Sequence, residues 1–230
     1  HLKNEPDQRV DIPVTISREA VLAEFKQERT RAKVETVVDE VIERAARVAK
    51  PKGIYRVACV GEHDRDGVEI DGVRFTSRVL SKNLATVSTV IPEIVTCGRE
   101  LDEIDISPTD YIKYYTLDVV KQAMMIEATK YFFAFLQDKF SLEDMVHLHP
   151  GEFADWPITE QHQLFKLFRD VEGTIGVKLT SSTTLQPVKS GSGLLFSNGN
   201  SFESCQLCLQ ANCAGRRKPY SPKLVKQFME

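Results

Sequence analysis

Near the end of the chain the sequence reads CQLCLQANCAGRR, Cys205 to Arg217, which places three of the five cysteines within nine residues. Cys205 and Cys208 have the C-x2-C spacing that lets two thiolates hold one centre from a single turn, and Cys213 is close enough to add a third sulfur. Thiolates so spaced suit an iron–sulfur cluster, with [4Fe-4S] as the leading form, or zinc. Both normally take four ligands; the sequence leaves the fourth open among Cys59, Cys97 and the histidines. Arg216, Arg217 and Lys218 would offset the negative charge of a thiolate-bound cluster. The plainer reading is a solvated basic tail with unligated thiols. The C-x3-C-x2-C spacing of radical enzymes that cleave S-adenosylmethionine is absent.

Two further stretches carry chemistry more weakly. In QPVKSGSG, Gly191 and Gly193 allow close backbone approach to a ligand, Ser190 and Ser192 can donate hydrogen bonds, and Lys189 adds a cation. That is a candidate anion or cofactor site, and a strand kink explains the same residues equally well. In HLHPGEFADWP, His147 and His149 sit two apart with Glu152 and Asp155 nearby. The favoured reading there is a turn at Pro150-Gly151 with Trp156 as an apolar anchor, ahead of a metal site.

The elements that must position these residues follow from periodicity. Residues 1–16 read as an extended lead-in. Ser17 reads as the cap of a short helix over 20–26, and a clear apolar stripe (Val34, Val38, Val41, Ala45) marks a helix from Thr30 that Pro51 and Gly53 end. Residues 54–61 are β-rich, Asp71-Gly72 is the turn of a hairpin, Ser77 to Asn83 is a short helix, and 85–97 holds a buried strand. Gly98 opens a short helix through Glu103. Asp110 to Phe140 is one long helix, apolar nearly all round and therefore expected to be central. After Ser141 the chain reads as loop, then a helix from Thr159 to about Arg169, then strands at 176–184 and 194–196 with the Gly/Ser-rich stretch between them. Helices around strands in mixed order make the fold class α+β, with helices around a mixed, mainly antiparallel twisted sheet.

Composition narrows the class. With 230 residues, 42% hydrophobic and 27% charged, the profile is globular, and a net charge of -3 does not point to nucleic acid. No apolar run approaches the ~18–20 residues of a membrane span. An odd cysteine count without an export signal points to a reducing, cytoplasmic compartment.

The segment IGVKLTSSTTLQPVKSGSGLLFS, Ile175 to Ser197, resembles the segment that closes the ligand site in the activation domain of cobalamin-dependent methionine synthase. Gly176, Lys178, Leu179, Thr180, Ser182, Pro187, Ser190, Ser192, Gly193, Phe196 and Ser197 fit the family pattern without a gap. PGEFADWPITEQHQLFKLF resembles the loop and helix that precede it in stand-alone members, and Thr96-Cys97-Gly98 resembles a family turn. The resemblance covers most of residues 17–200, with 201–230 as a Cys-rich basic tail outside it. It implies an α+β domain that binds S-adenosylmethionine and docks over a corrinoid carried by a partner, a corrinoid-binding protein or the methionine synthase core. There it would support reduction or S-adenosylmethionine-dependent reductive methylation of Co(II). The chain would thus be a methyltransferase or redox component, served by an electron-donor protein, with no nucleic acid or membrane involved. The positions it implies for cofactor binding are His147, Gly151, Glu152, Lys189, Ser190, Ser192 and Gly193; it assigns no catalytic residue. The family's Arg-x-x-x-Gly-Tyr motif is changed: His147 stands for the arginine and Glu152 for the tyrosine, while Ser181 replaces the acid of Thr-Glu-Ser. A docking module that has lost the methyl chemistry, with a structural zinc or free thiols in its tail, is the alternative. In the leading case the tail cluster would carry the reducing electron.

Overall fold

The stretch Thr89–Thr96, TVIPEIVT, is rich in β-branched residues and forms the central strand of one sheet, which most of the strands join. The computed structural model describes residues 6–13, 15–25, 31–107, 109–199, 203–210, 212–213 and 216–229. Its strands are β1 (Gln8–Asp11), β2 (Lys52–Tyr55), β3 (Ala58–His63), β4 (Val68–Ile70), β5 (Val73–Phe75), β6 (Thr89–Thr96), β7 (Met145–Leu148), β8 (Lys178–Leu179), β9 (Leu185–Gln186) and β10 (Ser190–Ser197). The sheet takes eight of them, and β8 and β9 pair as a separate ribbon. Every pairing is antiparallel. The spine is β6: β2 and β3 pair with it, β10 pairs with it from Leu195 to Ser190, and β7 extends β10. The fold class is α+β, as the sequence indicates.

The helices are α1 (Arg18–Ala23), α2 (Arg31–Val48), α3 (Arg78–Leu84), α4 (Tyr111–Phe140), α5 (Gln161–Lys166), α6 (Val171–Ile175) and α7 (Pro222–Met229). Ser17, Ser77 and Asp110 each cap a helix by accepting a first-turn backbone N–H. Asp71 and Gly72 take φ of 46° and 81°, the left-handed pair that a two-residue hairpin turn requires. None of the helices among the described residues is long and apolar enough to cross a membrane.

Three expectations change. The long helix α4 is a cover and not a central rod. Leu117, Val120, Met124, Ala128, Phe132 and Leu136 pack inward on α2 and the sheet, while Tyr111, Tyr114, Tyr115, Ile126 and Tyr131 are exposed. Residues 145–148, read as loop, form β7, because Val146 and Leu148 alternate into the core. The helix expected from Thr159 to about Arg169 is shorter: a 3-10 turn (Ile158–Glu160) leads into α5, which ends at Lys166. A separate helix, α6, follows, capped by Asp170, whose Oδ1 accepts from Gly173 N at 2.7 Å.

Where β2 meets the turn after β6, Lys52 Nζ lies 2.9 Å from Glu100 Oε1, both largely buried. Burial by itself raises the Glu100 carboxyl; the hydrogen bond and charge of Lys52, together with a backbone hydrogen bond and the charge of Lys50, bring the net shift below the ordinary 4.5. A depressed folded value means that the unfolded state takes up the proton first. This contribution is therefore complete above pH 4.5 and is lost as pH falls through the lowered folded value. Urea titrations stepped downward in pH from 6 (about neutral for this pair) should show stability falling in that window, and Lys52→Met should flatten the fall.

Candidate functional site

Side chains alternate along β6. Val90 and Ile94 enter the core on one face; Ile91 and Val95 face α4, and Glu93 shares their parity. Glu93 is 1% exposed, a carboxylate in the middle of an apolar strand. Directly opposite it on β10 stands Gly193, and His147 lies beyond on β7, where His147 pairs with Leu195. The missing side chain of Gly193 leaves the gap through which His147 Nε2 reaches Glu93 Oε1 at 3.1 Å. A Cβ on Gly193 would sit 2.2 Å from that same Nε2 and 2.7 Å from Leu148 O. Gly193 is therefore required by the Glu93–His147 contact. Phe133 of α4 packs edge-on against the His147 ring at 4.7 Å between centroids.

β7 pairs only with Leu194 to Ser197, so Ser190 to Gly193 have no strand on that side among the described residues. A cleft of about 350 Å³ opens at this bare edge. Its floor includes Glu93, His147 and Ser192; Met125, Thr129 and Phe133 of α4 form one wall; Ile158, Gln161 and the 183–188 loop form the other. Gln161, 5% exposed, donates from Nε2 to Ser192 Oγ at 2.8 Å. Glu93 Oε2 and Gln161 Oε1 are both buried without a hydrogen-bond partner.

Of the positions singled out in the sequence, His147, His149, Ser190, Gly191 and Ser192 line the cleft and Gly193 underlies it. The stretch SGSG is the start of β10 and not a kinked linker. Ser190 Oγ is engaged within the protein, 2.9 Å from Thr96 Oγ1 and 2.8 Å from Pro187 O. Gly151, at φ 88°, closes the turn through Gly151 N to Trp156 O at 2.8 Å, and Trp156 is fully buried. Glu152 turns to the tail, where Ser204 Oγ donates to it. Lys189 pairs with Asp118 at 3.2 Å. Asp155 accepts from Ser77 Oγ and Val79 N and so holds the start of α3. No motif marks Glu93 or Gln161 in the sequence; the one signal for Glu93 is a lone carboxylate among the apolar residues of TVIPEIVT.

The tail is docked on the domain. Leu207 is buried, and Leu224, Val225 and Phe228 pack against the main core. Arg216 gathers the backbone: its guanidinium donates to the carbonyls of Cys205 (2.8 Å), Cys208 (3.0 Å), Gln210 (2.5 Å) and Lys218 (3.2 Å). Among the described residues no group of three or more His, Cys, Asp or Glu is placed to hold a metal ion. Cys97 is buried beside α4, and burial, with the charge of Asp102 behind it, pushes its thiol up to about 12. That makes Cys97 an unreactive core thiol. Iodoacetamide at pH 8 (about the ordinary thiol range) followed by peptide mass spectrometry should label exposed Cys213 first and leave Cys97 unlabelled until the protein unfolds.

No protein-family model matches the chain, and no curated protein matches it. Among solved structures it is similar to a crystal structure of the MetH reactivation domain bound to AdoHcy, with a TM-score of 0.62 and 15% identity over 97% of this chain and 89% of that one. The chain has the fold of that reactivation domain.

Proposed function

We propose that this chain is a reactivation factor for a corrinoid protein, docking over a corrinoid held by its partner and binding S-adenosylmethionine in the cleft between β10, α4 and α5. The observation that carries this reading is the fold match across nearly the whole chain to a reactivation domain bound to AdoHcy. The cleft supports it. Its volume lies in the range for small-ligand sites, the edge of Ser190 to Gly193 away from β6 has no strand partner among the described residues, and Met125 and Phe133 offer apolar and aromatic surface. Val188 and Ile158, 70% and 46% exposed, stand on the cleft lining and give an apolar surface for a partner. When bound, S-adenosylmethionine would supply its methyl group to Co(I), formed from Co(II) by one electron from a low-potential donor protein, and leave as S-adenosylhomocysteine. The chain's own part is to hold the ligand, keep water from it and present it to the partner.

The test is anaerobic. A Co(II) corrinoid-binding protein, titanium(III) citrate and methyl-labelled S-adenosylmethionine are mixed with and without this chain, and label on cobalt is measured. The expected result is methyl–cobalt formation that depends on the chain, and a loss of about tenfold with Val188→Asp. Docking without methyl transfer would instead support the non-catalytic module.

An iron–sulfur cluster or zinc at Cys205, Cys208 and Cys213 is a separate addition, standing on the ligand spacing and on the basic Arg216–Lys218 run. Iron, sulfide and zinc are assayed in protein purified without oxygen. Iron and sulfide in proportion to protein would make the tail an electron carrier. Zinc would make it a structural site, and no metal would leave Arg216 as its organiser.

A further inference from the structure

Among the described residues the cleft is lined by carboxylate, amide, hydroxyl and imidazole groups and by no lysine or arginine; Lys189, the nearest in sequence, is paired with Asp118 outside it. Among the described residues, two side chains on its lining each carry a buried polar atom with no hydrogen-bond partner, Glu93 Oε2 and Gln161 Oε1. Glu93 is 1% exposed and Gln161 5%. A buried acceptor left bare costs free energy that a ligand's donor recovers. The remaining oxygen of Glu93 is already held by His147, and the amide nitrogen of Gln161 is already given to Ser192. Both side chains are thus fixed with one acceptor each to spare.

We infer that the cleft recognises its ligand through a cationic, hydrogen-bond-donating group such as an ammonium, received by Glu93 and Gln161, and does not recognise a free carboxylate. A free carboxylate would lie beside Glu93 at a like-charge cost, with no lysine or arginine among the described lining residues to offset it. An amino-acid ligand therefore enters with its ammonium toward Glu93 and its carboxylate toward the mouth. The proposal rests on the ligand reading above, whose substrate class it makes more specific: the adenosyl sulfonium is selected by its positive groups.

The test is calorimetric titration of the full chain with S-adenosylmethionine, with its decarboxylated analogue, which keeps the amine and sulfonium, and with agmatine as a plain cation. The expected result is that the decarboxylated compound binds within about threefold of S-adenosylmethionine, while Glu93→Gln weakens both by about tenfold or more at an unchanged or raised melting temperature. If the decarboxylated compound binds about tenfold more weakly than S-adenosylmethionine, or Glu93→Gln binds as the native chain does, the inference falls and the reactivation reading stands. If agmatine binds in a Glu93-dependent way and neither adenosyl compound does, the cation site stands and the S-adenosylmethionine reading falls. Silence with all three probes overturns both.

Discussion

Glu93→Leu is expected to stabilise the protein, raising its melting temperature by about 2–16 °C, while removing cation binding from the cleft. Leucine is close to glutamate in size, and the position lies between Ile91 and Val95 on a face already covered by Phe132 and Ala128 of α4. The carboxylate has lost its water and recovers one contact, to His147, with its second oxygen bare. Replacing such a buried charge by an apolar group of similar volume is often neutral or worth about 1–4 kcal/mol of added stability. His147 keeps partial access to solvent, its side chain 24% exposed, so losing Glu93 does not strand a second buried group. A functional carboxylate held at a cost to stability gives this result: stability up, binding lost. The measurement is thermal and urea unfolding of native and Glu93→Leu protein. A fall in stability as large as that of a core truncation, about 2–5 kcal/mol, would make Glu93 a structural residue and remove the reason for reading a ligand there.

The same site shows how far the sequence could be read. Elements set by local signals were legible. The valine stripe of α2, the Asp71-Gly72 turn and the cap at Ser17 each depend on residues within one turn of one another. The α+β class followed from them. The segment 186–197 resembles a ligand-site segment of a known family, yet its conformation was not legible, because Gly and Ser are poor strand formers alone and became strand by pairing with β6. The acceptor pair was out of reach for the same reason. Glu93, His147 and Gly193 are brought together by the register of three strands, and no spacing in the chain announces it. The tail ran the other way: its cysteine spacing was prominent, while the organising role of Arg216 depends on carbonyls, which every residue has.

A second long-range contact gives the largest loss of stability we expect from one surface-remote charge. Arg56, between β2 and β3, donates from Nη1 to Leu167 O at 2.7 Å and from Nη2 to Asp71 Oδ2 at 2.9 Å; the other oxygen of Asp71 accepts from Cys59 N at 2.9 Å. The paired side chains are 12% and 14% exposed. One guanidinium thus ties the β4–β5 turn and the end of α5 to the sheet, and α5 carries Gln161 of the cleft. Arg56→Ala leaves a mostly buried carboxylate and a carbonyl without their donor, and should cost about 3–5 kcal/mol, or roughly 6–20 °C in melting temperature. Arg56→Lys should recover only part of this, because an ammonium on a flexible stem does not span both acceptors as the planar fork does. Combining Arg56→Met with Asp71→Asn should be milder than Arg56→Ala, since asparagine keeps the left-handed turn conformation and the bond from Cys59 N while removing the stranded charge. If the double variant is as unstable as Arg56→Ala, the bond to Leu167 O and not the ion pair is what holds the turn to α5. In that case Arg56→Lys, placed to reach that carbonyl, should be the better rescue.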